Sequence, residues 1–460
     1  MSVLEHPIQA LRTLQPRRLT GSVAVVRGLT VLVDELPLPI GAMVRIVPKR
    51  GVASTGRGEV IGFDGRRSVV MLLGTSDGIA PGCRVIGEQV TRTITVGHSL
   101  LGRVINGLGE PLDGRPLPLD GSMRLLDPPP TPAMRRRRIV DPLPTGVAAI
   151  DAMLTLGKGQ RVGVFSGPGV GKSTLLASIA RNTDADINVI ALIGERGREV
   201  RDFIETVLGE VGLRRSIVVV ATGDESPLMR VRAAMVACAI AEHFRACGTD
   251  VMLMMDSITR FAQAQRQIGL AAGEQPATKG YTPSVFAMLP RLLERAGALE
   301  AEDGGGSITG LYAVLVEGDE LADPVSDAAR GILDGHIALS PRLAARGHYP
   351  AIDLLRSISR VADDVCDGNH VEARRRLIRL MAAYADAEEL INIGAYAKGA
   401  NADCDTAIAI KPMLDGFLQR SDRSPYPETC RDLIALSQAA VQHQGGRRPG
   451  PAPTARDARA

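Results

Sequence analysis

An α/β protein in three parts is what this sequence predicts: a doubly wound core with a mainly parallel sheet, a small closed β-barrel before it, and helices after it. Three patterns carry that expectation. Short strands crowd residues 18–92, continuous apolar strands alternate with helical stretches from 157 to 360, and no convincing strand remains after about 363. A chain of 460 residues is long enough for each part to bury a core of its own.

Residues 1–17 are set apart as an N-terminal arm. Within 18–92, the segments Gly21–Val26, Leu29–Val33, Met43–Pro48, Gly58–Phe63 and Ser68–Leu73 are rich in Val, Ile and Leu. Gly, Asp-Gly and Pro-Gly turns punctuate them. About six strands in so short a span favour a barrel, because closure removes exposed edges. The stretch Val96–Pro116 is dense in glycine and turn pairs, and Asp127–Pro132 reads DPPPTP. Proline fixes an extended connector there, so 117–140 is expected to be a linker within a second domain running from 93 to 362. Four consecutive arginines, Arg135–Arg138, do not suit a core; they read as a solvated face or as contact with an acidic partner.

Arg161–Phe165, Asn188–Ile193, Ser216–Ala221, Val251–Met255 and Ile308–Val316 are continuous apolar runs, the pattern of strands buried on both faces. Ser173–Asn182, Glu199–Val211, Met229–Ala246 and Pro283–Ala296 are long enough for the intervening helices. Farther on, Val371–Ala385 and Pro427–Gln442 carry Leu, Ile and Ala on one face, which predicts a helical domain at 363–443. The Gly, Pro, Ala and Arg of 444–460 predict a disordered tail.

Composition narrows the function. Hydrophobic residues make up 45% and charged residues 23%, the range of a folded globular chain. No apolar run reaches the ~18 residues of a membrane span. The opening MSVLEHPIQALRTLQPRRL lacks the apolar stretch of a secretory signal, which predicts a cytoplasmic protein. The balance of 54 Lys and Arg against 51 Asp and Glu leaves +3, far from the basic excess of a dedicated nucleic-acid binder. Seven Phe, six Tyr and no Trp offer few surfaces for stacking bases, so no nucleic-acid partner is expected. Six cysteines without a paired spacing indicate buried or incidental thiols rather than a disulfide framework or a zinc site.

The chemistry is concentrated in three segments. Ser166–Thr174 reads SGPGVGKST between an apolar strand and a helical stretch. The turn Gly167, Pro168, Gly169, Val170, Gly171 lets backbone N–H groups face β- and γ-phosphates. Lys172 supplies a point charge there, and Ser173, followed by Thr174, offers its hydroxyl to Mg2+. The strict pattern has Gly where Ser166 stands, but a small residue fits if its φ is negative. Val251–Asp256, VMLMMD, ends five apolar residues on a carboxylate, so Asp256 is expected to bind Mg2+ from the end of a neighbouring strand. Glu195, in GERGREV after the strand 188–193, faces the same crevice and suits a general base that takes a proton from water. ATP and Mg2+ are the expected ligands.

Together with MMDSITRFAQAQRQIGLAAGE, ATKGYTPSVF, VLVEGDELADPVSDAARGILDGHI and RGHYPAIDLLRSISRV, these motifs resemble the hexameric ATPases of bacterial type III export, relatives of the catalytic subunit of rotary ATP synthases. The likeness runs from about residue 18 to 440. LINIGAYAKGAN at 390–401 is more similar to the flagellar export enzymes than to the injectisome enzymes. The resemblance implies a RecA-like P-loop NTPase core and a homohexamer. It implies Glu195 as the catalytic glutamate, Arg196 and Arg260 as arginines on the phosphate side, Tyr349 packing on adenine, and Arg360 as a finger into the neighbouring subunit's site. By their own pattern, Tyr349 reads as packing and Arg360 as a surface arginine. Implied partners are a stator-like regulator, a coiled-coil central stalk, an export gate and cargo–chaperone complexes, met peripherally at the cytoplasmic face of the inner membrane. An ATP synthase subunit is disfavoured by RGHYPAID and QAQRQIGLAAGE, and an RNA translocase by a segment 18–92 whose one aromatic is Phe63. Ser166, Gln275 and the stretch ELADP at 320–324 depart from the family pattern.

Overall fold

The computed structural model describes residues 19–47, 56–89, 91–118, 120–316, 323–420 and 424–445. The expected arm at 1–17, the last residue of the strand expected at 43–48, the first three residues of ELADP and the tail beyond 445 lie outside the described residues.

Strands β1 (Thr20–Arg27), β2 (Thr30–Asp34), β3 (Met43–Val47), β4 (Gly56–Asp64), β5 (Arg67–Leu72) and β6 (Arg84–Gln89) close into a barrel in the order β1-β2-β5-β4-β3-β6. Neighbours are antiparallel all round. Val31, Val44, Val60, Val70 and Val85 fill it without solvent exposure, since β-branched side chains suit a pleated wall. The sixth strand, RVIGEQ, has polar ends and only two large apolar residues, which hide it in the sequence.

A ribbon of β7 (Thr93–Val96) and β9 (Ser122–Leu125), with β8 (Val104–Asn106) between them in sequence, leads into the core. The arginine run that follows is less solvated than its composition suggests. The Arg136 guanidinium donates to the carbonyls of Ala296 at 2.9 Å and Glu294 at 2.5 Å, while Arg135 pairs with Asp303 at 3.3 Å. Carbonyls left open after a helix end take up the charge that a core would reject.

The core begins with α1 (Ala148–Met153), β10 (Arg161–Ser166), α2 (Lys172–Asn182), β11 (Ile187–Ile193), α3 (Gly197–Asp202) and α4 (Gly209–Arg214). It continues with β12 (Ser216–Ala221), α5 (Pro227–Ala246), β13 (Asp250–Asp256), α6 (Ile258–Ala271), α7 (Pro283–Leu293) and β14 (Gly297–Ala298). The last elements are β15 (Ser307–Leu315), α8 (Pro324–Ile332), β16 (Gly335–Ala338), α9 (Pro341–Ala345) and β17 (Ile358–Ser359). They build a nine-stranded sheet in the order β17-β16-β10-β15-β13-β11-β12-β8, with β14 beside β15. From β16 to β8 every pairing is parallel; β14 and β17 join antiparallel. β11 and β12 are buried at every residue, as their unbroken apolar runs require. The single helix expected at 199–211 is instead interrupted. A π-helical turn spans Phe203–Leu208, and Gly209 then takes a φ of +65°, a backbone that glycine adopts without strain.

After α10 (Ala362–Val365) come three longer helices, α11 (Gly368–Asn392), α12 (Ala402–Leu418) and α13 (Tyr426–Gly445). The middle one went unseen in the sequence because Pro412 sits inside it. Its start was nevertheless signalled: Asn401 caps it, accepting from the N–H groups of Asp403 at 2.9 Å and Cys404 at 3.2 Å.

Candidate active site

The loop Gly167–Gly171 joins the end of β10 to the start of α2. Ser166 is fully buried as the last strand residue, and its carbonyl accepts from the Val316 N–H at 3.1 Å. Its backbone is not left-handed, so glycine is not required there. Gly169 and Gly171 do need their freedom, with φ of +76° and +90°. The Val170 side chain, 3% exposed, turns into the core with Leu175 and Leu176, so it offers a ligand, as the loop glycines do, nothing but backbone. Inside α2 the first bond runs from the Leu175 N–H to the Gly171 carbonyl at 3.0 Å, and no side chain caps the helix. The N–H groups of its first turn therefore point out of the positive end of the helix dipole, toward an anion.

Lys172 at that helix start forms a close ion pair with Asp256 and stands 3.9 Å from Glu195. Asp256 ends β13, but β13 does not neighbour β10 as expected: β15 lies between them. The long lysine stem crosses the intervening strand end to reach the carboxylate. Capping of α6 falls to Ser257, whose hydroxyl accepts from the Arg260 N–H at 3.3 Å, leaving Asp256 free of that task. Glu195 follows β11 through Gly194, where an added Cβ would stand 2.9 Å from the Arg260 Cβ. That glycine lets Glu195 and Arg260 share one wall. Burial, and then the Asp256 carboxylate, push the Glu195 carboxyl above its ordinary pKa, against the pull of Lys172 and Arg260. The Nε of Arg260 is buried with no hydrogen-bond partner among the described residues.

A cavity of about 770 Å³ is bounded by Lys172, Glu195 and Arg260 together with Gly167, Pro168, Ser173, Thr174 and Arg196; Asp256 stands behind Lys172 rather than on its wall. Arg196 is held loosely, its side chain 86% exposed and paired with Glu199 at 3.2 Å. Glu199, Thr259 and Gln263 also line the cavity and were not singled out from the sequence. Gln263 could have been: it lies three residues after Arg260 on α6, hence on the same face.

Tyr349 and Arg360 lie outside this cavity. The Tyr349 ring belongs to a neighbouring cavity of about 210 Å³ that shares Gly171 and Thr174 and is also lined by Arg420. A Cβ on Gly171 would sit 3.4 Å from that ring. Arg360 is far from both. It follows β17, whose Ser359 pairs with Gly335 at the start of β16, and its N–H donates to the Asp334 carbonyl at 2.9 Å. Because β16 and β10 run parallel, Arg360 is exposed at the end of the sheet opposite the phosphate loop.

The residues fit Mg·ATP. Outward N–H groups and Lys172 suit a polyphosphate, and a hydroxyl with a carboxylate, Ser173 and Asp256, is the hard-oxygen donor set that Mg2+ takes alongside water and phosphate. No group of three or more His, Cys, Asp or Glu able to hold a metal occurs among the described residues.

Comparison with known proteins agrees. Residues 146–359 match the nucleotide-binding domain of the ATP synthase alpha/beta family, and residues 366–435 match the T3SS EscN ATPase C-terminal domain. The flagellum-specific ATP synthase of Treponema pallidum (strain Nichols) is 48% identical over 440 residues, 94% of this chain and 96% of that one. The type 3 secretion system ATPase of Xanthomonas euvesicatoria is 47% identical over 433 residues, 94% and 97% of the two chains. The assembled ATPase EscN of the enteropathogenic E. coli type III secretion system aligns with a TM-score of 0.83 at 40% identity, covering 91% of this chain and 100% of that one, and it has also been solved with its central stalk EscO. With likeness running through the phosphate loop and the C-terminal helices alike, the chain belongs to the ATP synthase alpha/beta family, in the branch of the flagellum-specific and type 3 secretion system ATPases.

Proposed function

We propose that this chain hydrolyses ATP in a ring of six identical subunits and so energises protein export through the flagellar type III apparatus. The observation that carries it is the division of the site: Lys172, Glu195 and Arg260 share one cavity, whereas Arg360 is exposed at the far end of the same sheet. In this reading the loop N–H groups and Lys172 hold the β- and γ-phosphates, and Tyr349 beside Gly171 takes the adenine. Ser173 and Asp256 are the residues to hold Mg2+, which neutralises phosphate charge when bound. Glu195 accepts a proton from the attacking water, a task for which its raised pKa makes it a stronger base than an ordinary glutamate. Arg196, Arg260 and the neighbour's Arg360 meet the charge that develops on the transferred group. Specific activity should rise with protein concentration as the ring assembles by mass action. Activity per subunit that stays flat down to monomeric concentrations would refute the shared site.

The flagellar assignment rests on LINIGAYAKGAN at 390–401. The injectisome is the second reading, supported by relatives at 47% against 48% identity. Restored swarming of a bacterium lacking its own flagellum-specific ATPase decides for the first, and failure there with rescue of an injectisome mutant decides for the second. A central stalk is the best supported partner, by analogy with EscN and EscO. A stator-like regulator, an export gate and cargo–chaperone complexes follow from the same assignment, as does peripheral attachment at the cytoplasmic face of the inner membrane. No described helix is long and apolar enough to cross a membrane. The division into 18–92, 93–362 and 363–443 is supported by the closed barrel, the nine-stranded sheet and the helices after α10.

A further inference from the structure

Hydrolysis makes no use of a cavity of about 170 Å³ where the barrel meets the core, between β4, α5 and α7. Two charged side chains are buried at it: Glu59 is 1% exposed and Arg232 7% exposed. Buried charge is costly unless it is well paired. Glu59 is engaged by Arg92 in a close ion pair, and Arg232 approaches it only to 3.6 Å. The other partners of Arg232 are neutral, the Gly107 carbonyl at 3.0 Å and the Met43 sulfur at 4.0 Å. Burial alone lowers its guanidinium pKa, to about 10. The Nε of Arg92 is also buried, with no partner among the described residues. Of the two remaining arginines, Arg295 lies 2.6 Å from Glu242 and Arg291 lies 3.6 Å from Asp127, a carboxylate that also acts on Arg92 and Arg295 but not on Arg232. Arg232 therefore has no acid but the Glu59 that Arg92 already engages, and the shortfall falls on it.

We propose that this cavity binds a small oxyanion, a carboxylate or a phosphate, gripped by Arg232 and Arg92 with Arg291 at the rim. A pair of oxygens matches the planar fork of a guanidinium in two parallel hydrogen bonds, which a single shared carboxylate does not provide to both arginines. The volume suits an anion of a few heavy atoms and is less than a quarter of the 770 Å³ beside the phosphate loop. Besides the acids Glu59 and Asp127, which the arginines offset, Leu126, Leu228, Val231, Met235 and Met288 line the cavity and would receive a short apolar tail. The bound anion bridges Arg92, in the segment between β6 and β7, to Arg232 on α5 of the core.

Isothermal titration calorimetry on the full chain tests this, with the phosphate loop first filled with ADP and with inorganic phosphate and n-butyrate as the probes. Saturable binding of at least one probe is expected: phosphate alone identifies an inorganic oxyanion site, and butyrate alone a carboxylate site. Arg291→Gln, on the exposed rim, should weaken that binding roughly tenfold, about the worth of one charge-assisted hydrogen bond. Arg232→Gln should abolish it. If that variant does not fold, Arg232→Lys keeps the charge but loses the fork, and should weaken binding at least as much as Arg291→Gln. No saturable heat with either probe, or heat that persists unchanged in the Arg232 and Arg291 variants and so belongs to the catalytic cavity, overturns the proposal.

Discussion

Lys172 and Arg360 are two cations of the same proposed site, and their surroundings could hardly differ more. Lys172 begins a helix at the loop end of β10 and sits among Asp256, Glu195 and the cavity wall. Arg360 stands at the opposite end of that sheet, exposed, with no side-chain hydrogen bond or ion pair among the described residues. One end of the sheet holds a group whose partners come from its own chain; the other holds a charge that has none. If the proposal holds, completeness of the site is a property of two chains. Lys172 needs only folding to be in place, whereas Arg360, as a finger, would need a neighbour.

The comparison breaks most completely at Lys172. Lys172→Ala should abolish ATP turnover and strongly weaken nucleotide binding, because the lost charge neutralises phosphates in a partly dry site. Wild-type hydrolysis by the purified variant would sink the assignment. Arg360→Ala should cost roughly 10³–10⁵-fold in turnover, the range for an arginine finger, while leaving nucleotide binding nearly intact. Mixing it with Lys172→Ala subunits should restore some activity, since one interface then joins an intact loop to an intact finger. Mixed rings that form but stay inactive would contradict the two-chain site.

Glu195→Gln sharpens the contrast from within the cavity. The amide keeps the shape but cannot accept a proton, so turnover should fall roughly 10²–10⁴-fold while nucleotide still binds. In the unaltered enzyme the carboxylate must be ionised to act. Since its pKa is raised by burial and by Asp256, kcat/KM should fall with decreasing pH at values above the ~4.3 of a free glutamate. That acid limb should be missing from Glu195→Gln; if it persists, another group is titrating. Tyr349→Ala should be milder, weakening nucleotide affinity roughly 2–10-fold, as the loss of one ring contact implies, with little change in kcat. An unchanged affinity in equilibrium binding would return Tyr349 to a packing role.

Much of this was legible in the residues. The strands β10, β11, β12, β13 and β15 show themselves as unbroken apolar runs because both their faces are covered. The phosphate loop is legible because its chemistry is local, with every group within nine consecutive residues. What stayed hidden depends on partners distant in sequence. Strand order is one such case: the insertion of β15 between β10 and β13 leaves no mark in either strand. Arg136 is another, since the carbonyls of Glu294 and Ala296 that receive it are about 160 positions away. The exposed placement of Arg360 could be suspected from its type, but its position at the far end of the sheet follows from the antiparallel turn of β17, which no periodicity announces.

That turn has a mechanical consequence. Arg161, the first residue of β10, donates to the Asp334 carboxylate at 2.9 and 3.1 Å, and the Asp334 carbonyl receives the Arg360 N–H at 2.9 Å. The loop at one end of β10 and the arginine near the other are thus the two tips of a single strut, made of three paired strands in a tightly packed interior. Such a strut tilts more readily than it bends. A subunit whose loop is drawn toward a ligand would swing Arg360 with it, and in a ring that swing is felt next door. Asp334→Asn, which slackens the joint but keeps the backbone carbonyl that holds the Arg360 N–H, should lower the Hill slope of ATP turnover while leaving nucleotide affinity where it was; an unaltered slope would show that the two tips move independently.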